Sequence, residues 1–574
     1  MLHYSSDRIA NIRKQIDKYN IISFDIFDTL LKRDCNDFKN IFEIVEYRYN
    51  NVYPNNKIEN FTTKRISAEI KIYRAGILFP TIEQIYGELL LPEQQKKKLI
   101  ELEKEVETDY SCKNQIIYEI YQFAKANKKR IIAISDMYLD YNTIQNMLKK
   151  NGIIVDGLYI SAQYSQTKTS GELFNVVLEK EKISKNQILH IGDNIKADYW
   201  GAKKVGINSL LIPKKINNLK YLNINRLNRN SIEYKYLIPF LNNHLPLIND
   251  PIEKIGYETM GPVVFGFCKW VHDISIQKKY QKLLFCSRDL KQTLQIYRKL
   301  YPNDQRAEYF YVSLASLRTP YNYCISEDNC DSHSKEQYYL LREYLKNKDC
   351  FGKRIAIIDS GFGGHTENMM KKILGNDCDI HGLYIRISND FHKNVDDLEA
   401  APYLFTKKNA TLSKIGGAFF ETMISATHGR TLYYKRNIEG NIIPVLGQKN
   451  KNNYGIKLFQ SGIDKFVSDW QKLDFNNYPI NNKAIEKAFI NFTFFPKKED
   501  VSFLKDLSGG NEKLEKIVIQ REYKEYLKDP LQFFKDLKNT YWKGGFFVNV
   551  FPFPKIICYP YLLLNYICQK IAGF

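Results

Sequence analysis

The sequence predicts an α/β protein built on parallel sheets, with a helical insertion near its start, a second α/β domain and a mixed C-terminal segment. Three observations carry that expectation. In roughly the first 212 residues, five short apolar runs alternate with helical patterns, and each run ends in polar or small residues. A second series of the same kind begins near residue 282. At 574 residues the chain is too long for one ordinary core, so two or three domains are expected.

Taken in order, the first series reads "NIISFDIFD", "RIIAISD", "GLYIS", "ILHIGD" and "NSLLI". Ligands of such sheets gather at the carboxyl ends of the strands, which is where the polar residues lie. Between the first and second runs, residues 36–112 carry helical periodicity in "DFKNIFEIVEYRYN", "FTTKRISAEIKIYRAG" and "EQQKKKLIELEKEVETDY", the pattern of a helical lid. An Asn-rich stretch of weak periodicity, 214–232, reads as a linker or surface crossing. The second series follows as "KLLFCSRD", "AEYFYVSLAS", "RIAIIDSGFGGHT" and "IHGLYIRI", and then "TLYYKRNIEGNIIPVL" reads as a hairpin. Domains are thus expected over 1–213, 233–430 and 431–574.

Composition narrows the class. With 44% hydrophobic and 26% charged residues the chain has the balance of a soluble globular protein, and no apolar run is long enough to span a bilayer. The start, "MLHYSSDRIANIRKQ", lacks an apolar export core, so a cytoplasmic location is expected. Ten cysteines without a CxxC pair suit reduced structural thiols rather than disulfides or zinc. The net charge of +20 is Lys-rich and spread along the chain, with no nucleic-acid-binding signature. No nucleic-acid partner is expected; a basic surface favours anionic substrates or lipid headgroups instead.

Asp25 and Asp28 stand three positions apart off the end of the first strand, with Phe27 between them. A carboxylate at such a strand tip can be an ion ligand, a nucleophile or a cap for the next turn. Ser135 ends a second strand in "AISDMY", Lys168 follows in "SQTKTSGELF", and "HIGDNIKADYWGAKKVG" supplies Asp193 and Asp198.

In order and spacing, "FDIFDTL", "ISD", "KTSGELF" and "GDNIKAD" resemble the four motifs of the haloacid dehalogenase superfamily over residues 18–212. The resemblance implies a Rossmann-like domain whose helical insertion caps the site, and hydrolase chemistry at a phosphate. It makes Asp25 the nucleophile that becomes an aspartyl phosphate. Asp25, Asp193 and the Phe27 carbonyl become ligands of Mg²⁺, with Asp198 binding the ion or its waters. Ser135 and Thr29 hydrogen-bond the transferred group, and Lys168 neutralises charge between anionic ester and anionic nucleophile. Phosphatases of the superfamily carry a second Asp, the general acid and base, where Phe27 stands here. That departure is open to several readings: Asp28 or a group from the lid serves instead, the substrate has a good leaving group, the reaction is dehalogenation, or the domain binds phosphate without turnover.

The second series is less diagnostic. Through "CSRDL", "SLASLRTP", "IDSGFGGHT" and "ETMISATHG" the chain resembles, across residues 20–430, multi-domain "FDxFDT" hydrolases associated with bacterial surface-polysaccharide biosynthesis. Gly361, Gly363 and Gly364, between a strand and a helix beginning near His365 or Thr366, are either a phosphate cradle or a turn needed for chain reversal. Arg288 and Asp289 are an anion grip or an internal ion pair. Asp359 ends the strand before the glycines. Glu421 and His428 lie seven apart, two turns of one helix if it persists, and would then face one pocket.

The tail, "GGFFVNVFPFPKIICYPYLLLNYICQKIAGF", suits a membrane interface or a segment packed on the second domain. Together these readings predict a Mg²⁺-dependent phosphohydrolase acting on a small phosphorylated substrate, by the resemblance a sugar phosphate of surface-glycan assembly, with membrane-surface or glycosyltransferase contact. A glycan or phosphoglycan transferase with its chemistry in the second domain, and a non-catalytic phosphate-binding scaffold for glycosyltransferases, are the alternatives.

Overall fold

The computed structural model describes residues 6–214, 217–222, 227–326, 331–361, 363–387, 400–405, 410–448, 454–474, 482–509 and 515–572. It divides into two compact units: Met1–Leu219 with Ile224–Ile248, and Lys220–Asn223 with Asn249–Phe574.

The first unit is built on five parallel strands: β1 (Ile21–Phe24), β2 (Arg130–Ser135), β3 (Gly157–Ile160), β4 (Ile188–Gly192) and β5 (Asn208–Leu211). They lie in the order β3-β2-β1-β4-β5. The central strand β1 is buried at every residue, because a parallel strand covered on both faces needs an unbroken apolar run. Ile132, Ile134, Leu173, Phe174, Val177 and Ile188 pack a core along one face. Phe24 pairs with Ala133 of β2 and Ile191 of β4, so the chain leaves β1 at Asp25 where the strand order reverses direction. At such a point the loops diverge and leave a crevice.

The insertion after β1 is helical: α1 (Lys39–Val52), α2 (Phe61–Arg74), α3 (Ile82–Gly87) and α4 (Glu93–Asp109). It leaves and rejoins the sheet through an antiparallel pair, Leu31–Arg33 with Ser111–Lys113. Inside it, fully buried Arg65 is bidentate to buried Glu103 at 3.0 Å and 3.0 Å, and it also bonds Glu69 at 2.9 Å. A buried guanidinium needs such partners.

Residues 233–248 pack with the first unit rather than opening the second, as the sequence had suggested. Asn243 Nδ2 donates to the Arg33 carbonyl and to Asp34 Oδ1, both at 2.9 Å, and His244 Nε2 lies 2.9 Å from Asp34 Oδ2. Asp34, Cys112 and His244 form one polar cluster there.

The second unit carries another five parallel strands: β6 (Lys282–Cys286), β7 (Ala307–Phe310), β8 (Arg354–Asp359), β9 (Asp379–Arg386) and β10 (Ala400–Phe405). Their order is β7-β6-β8-β9-β10, which places a reversal between β6 and β8. Helices α5 (Pro251–Thr259) and α6 (Gly261–Gln277) precede the strands. The helix α7 (His365–Leu374) follows β8, α8 (Ala410–Ile424) follows β10, and the hairpin Thr431–Arg436 with Ile442–Leu446 comes next.

The C-terminal segment does not separate as a third body. Its helix α9 (Tyr454–Trp470) crosses α5 with backbones in contact: a Cβ at Gly462 would meet the Glu253 carbonyl oxygen at 2.1 Å, and one at Gly256 would meet that of Phe459 at 2.1 Å. Nor is the Asn-rich stretch merely a surface crossing. Within it Tyr221 and Leu222 are buried, and the Tyr221 hydroxyl donates to Asp500 at 2.5 Å. Residues 215–216 and 223–226 of that stretch lie outside the described residues.

Candidate functional site

The reversal in the first sheet gathers the acidic residues of separate strands. Asp25 follows β1, Asp193 follows β4, and Asp198 lies on the helical turn that Asn194 caps by accepting from the Lys196 and Ala197 N–H groups. Each of Asp25, Asp193 and Asp198 offers an oxygen, and these atoms all lie within 4.8 Å of one another. Lys168 reaches between two of them from the turn before the helix Glu172–Glu181. Its buried ammonium donates to Asp25 Oδ1 at 2.5 Å and to Asp198 Oδ1 at 2.6 Å.

The electrostatics follow from burial and crowding. Burial, with Asp198 and Asp193 alongside, pushes the Asp25 carboxyl up to about 8 although Lys168 opposes the shift. Burial alone would raise Asp198 too, but Lys168 and His190 hold it below the usual carboxylate range. Burial and neighbouring Asp28 raise Asp193. Lys168, whose charge burial disfavours, is held protonated by Asp25 and Asp198. Three carboxylates, two of them bonded by the Lys168 ammonium, form a donor set with room for further positive charge. All-oxygen ligands at this spacing suit a hard divalent cation, so the residues present fit Mg²⁺.

Thr29, fully buried, donates from its hydroxyl to Asp193 Oδ1 at 3.3 Å. Ser135 ends β2 as a buried residue paired with Ile160. The Phe27 ring lies under the Arg33 guanidinium, 4.1 Å from it, while Arg33 bonds Glu107 of α4 at 2.8 Å. Asp28 takes a left-handed backbone, φ 61°, and its carboxylate meets Lys214 Nζ at 3.1 Å.

Sequence reasoning missed three participants. Lys214, assigned to the linker, also stands 3.8 Å from Asp193 Oδ2 and so bridges two acids. Asp136 accepts from the Lys168 backbone N–H at 2.9 Å and thereby sets the position of that lysine; its place directly after Ser135 in "ISD" was the available signal. His190, buried on β4, holds Asp198 through Nε2 at 3.2 Å and contacts the Ser23 hydroxyl through Nδ1 at 2.9 Å. Burial lowers its basicity. A neutral ring that donates from Nε2 to the carboxylate accepts from Ser23 at Nδ1.

In the second unit, one cavity of about 370 Å³ opens at the carboxyl ends of β6, β7 and β8. Arg288, Asp289, Asp359, Glu421 and the glycines 361, 363 and 364 all line it. Gly361 is required there: its φ is +127°, and a Cβ would meet the Arg386 carbonyl oxygen at 2.2 Å. Asp289 accepts from the Ser425 hydroxyl at 2.9 Å and from Ser360 at 3.3 Å, and Arg386 pairs with Glu421.

His428 does not join Glu421. The helix α8 ends at Ile424, so the seven-residue spacing no longer describes one face. The His428 ring instead lies by Tyr309 and Tyr311, Nδ1 donating to the Gly429 carbonyl at 2.8 Å and Nε2 accepting from the Tyr309 hydroxyl at 2.7 Å. Both of its ring nitrogens are thereby engaged by groups of the second unit.

Residues 24–212 match the family model of haloacid dehalogenase-like hydrolases. No curated protein matches the chain. Among solved structures, a magnesium-bound HAD-hydrolase of Bacillus subtilis is similar at 16% identity and TM-score 0.26, covering 34% of this chain and 89% of its own. A Haemophilus somnus protein described as a phosphoglycolate phosphatase shares 15% identity, TM-score 0.24, over 34% and 85%. A Thermotoga maritima protein assigned as a β-phosphoglucomutase shares 17% identity, TM-score 0.26, over 35% and 88%.

Proposed function

We propose that this chain, whose residues 24–212 carry a haloacid dehalogenase-like hydrolase unit, is a Mg²⁺-dependent phosphohydrolase that works through an aspartyl phosphate at Asp25. One observation supports the reading above the others: Asp25, Asp193, Asp198 and Lys168 come from three separate parts of the chain and meet in one buried cluster.

Asp25, Asp193 and Asp198, with the Phe27 carbonyl, are the groups that would hold Mg²⁺, which when bound supplies the positive charge that lets a phosphate dianion lie beside carboxylates. Lys168 orients Asp25 and lowers the repulsion between it and the incoming ester. An Asp25 oxygen attacks phosphorus, the bond from phosphorus to the alcohol oxygen breaks, and that oxygen takes up a proton. Water then cleaves the aspartyl phosphate, restoring the carboxylate and releasing inorganic phosphate. The Thr29 and Ser135 hydroxyls donate to the transferred group. Phe27 stands in the acid/base place, and Asp28, held by Lys214, is the carboxylate assigned to proton transfer in its stead. The helices α1 to α4 exclude water and read the rest of the substrate.

The substrate class is a small phosphate ester, a sugar phosphate of surface-polysaccharide assembly by the resemblance over residues 20–430, in the cytoplasm. No helix among the described residues is long and apolar enough to cross a membrane. The last helix, Pro554–Ala572, exposes Ile556, Tyr559, Leu563 and Leu564, and together with the net charge of +20 this supports peripheral contact with an anionic membrane surface. A panel of sugar phosphates assayed for phosphate release, with and without Mg²⁺, tests the main reading. Release that needs Mg²⁺ and disappears in Asp25→Asn is the expected result; release that survives Asp25→Asn overturns it.

A further inference from the structure

The cavity of the second unit lies where a ligand belongs in a sheet of this topology. Its strand order reverses between β6 and β8, and Arg288, Asp289 and Asp359 stand just beyond or at the ends of those two strands. About 370 Å³ is room for a small molecule rather than for a macromolecular segment.

The lining is of two kinds. On one side of the chemistry stand cationic and N–H donors: Arg288, Arg430 and the backbone at Gly363, Gly364 and His365, where the ten-residue helix α7 begins. Guanidinium forks and successive backbone N–H groups match a phosphate, and the Arg288 Nε stands 3.9 Å from Asp289 Oδ1, the ion pair that the sequence left open. On the other stand carboxyl groups. Asp289 is fixed by Ser360 and Ser425, and Glu421 by Arg386. Burial pushes Asp359 up to about 7, with Asp289 adding to the shift and the N–H groups of Gly361 and Ser360 opposing it. Burial likewise pushes Glu421 up to about 7 against the pull of Arg386. Carboxyl groups poised this way both accept from and donate to hydroxyls at neutral pH, and they repel an anion less than full charges would.

One further observation narrows the ligand. Asp289, Asp359 and Glu421 are not gathered for one ion; among the described residues the clusters with that spacing are both in the first unit.

We propose that this cavity is a second binding site, independent of the one at Asp25, for a small phosphorylated polyhydroxy compound. Its phosphate lies against Arg288, Arg430 and the glycine turn, and its hydroxyls against Asp289, Asp359 and Glu421.

Hydrogen exchange read by mass spectrometry on the full chain localises binding to one unit or the other. The probes are glucose 6-phosphate, glycerol 3-phosphate, inorganic phosphate and glucose, each at millimolar concentration with the Asp25→Asn protein, so that no probe is consumed in the first unit. Glucose 6-phosphate and glycerol 3-phosphate are expected to protect residues 286–289 and 359–366, and glucose is not. Arg288→Ala and Arg430→Ala are expected to weaken that protection about ten- to a hundredfold each. Two arginine variants are used so that misfolding of one, detected by its circular dichroism, leaves the other decisive. Protection of the second unit by neither phosphate ester overturns the proposal, as does protection untouched in a folded arginine variant. Inorganic phosphate protecting as well as glucose 6-phosphate overturns the polyhydroxy part. Since the readout lies in peptides of the second unit, it stands whether or not the first unit proves to be a phosphatase.

Discussion

Exchanging Lys168 for Met removes the buried ammonium that bonds both Asp25 and Asp198. Lys168 Nζ is 2.5 Å from Asp25 and 2.6 Å from Asp198 and is almost fully buried. Without it, three carboxylates stay within 4.8 Å of one another. At that spacing each ionised pair repels by about 3 kcal/mol at an effective dielectric near 20. Proton uptake by Asp25 relieves part of the strain, and the remaining loss is about 3–5 kcal/mol, the range for removing one partner of a buried pair. By scanning calorimetry without Mg²⁺, the first unit of Lys168→Met is expected to melt about 6–20 °C lower than wild type. Asp25→Asn has the opposite electrostatic sense: it removes the acid that burial disfavours and leaves Lys168 bonded to Asp198. Its stability is expected to match or exceed that of wild type. Activity, by contrast, falls in both, about 10²–10⁴-fold or more. A Lys168→Met protein as stable as wild type, or an Asp25→Asn protein destabilised as much as Lys168→Met, would refute this account of the charges.

Further expectations concern other parts of the chain. Asp28→Asn is expected to slow hydrolysis of an alkyl phosphate about 10²-fold or more while sparing p-nitrophenyl phosphate, whose leaving group needs little protonation; equal losses on both would remove Asp28 from proton transfer. Burial pushes Glu367 up to about 7, against the hydrogen bond it accepts from Tyr384. A folded pKa above the unfolded value makes stability of the second unit fall by about 3 kcal/mol as pH rises from about 4.5 to 7, and Glu367→Gln is expected to flatten that slope in urea titrations. A chain ending near residue 553 is expected to lose flotation with anionic liposomes that the full chain shows; equal flotation would exclude the last helix as the contact.

The positions of the acids at strand ends were legible in the sequence. A buried parallel strand demands an apolar run, and the first polar residue after it marks the crevice: Asp25 after "IISF", Asp193 after "ILHIG" and Asp359 in "RIAIID" are all found in this way. The helical nature of residues 39–109 and the start of a helix at His365 were legible for a similar reason, since periodicity and a glycine-rich turn are local. The relation of Glu421 to His428 was not, because it depended on where α8 stops, and the chain turns away at Ile424 to bring the histidine to Tyr309.

The sequence by itself determined which groups carry charge and the strand ends at which they emerge. Tertiary structure alone decided which charges share a space: Lys168 between Asp25 and Asp198, Lys214 against Asp28, and Arg288 in one cavity with Glu421. Local pattern records only the preference of each residue for its own backbone and for water. Coulomb forces and burial act on distance through space, and that distance is set only when sheets with defined strand orders bring remote segments together.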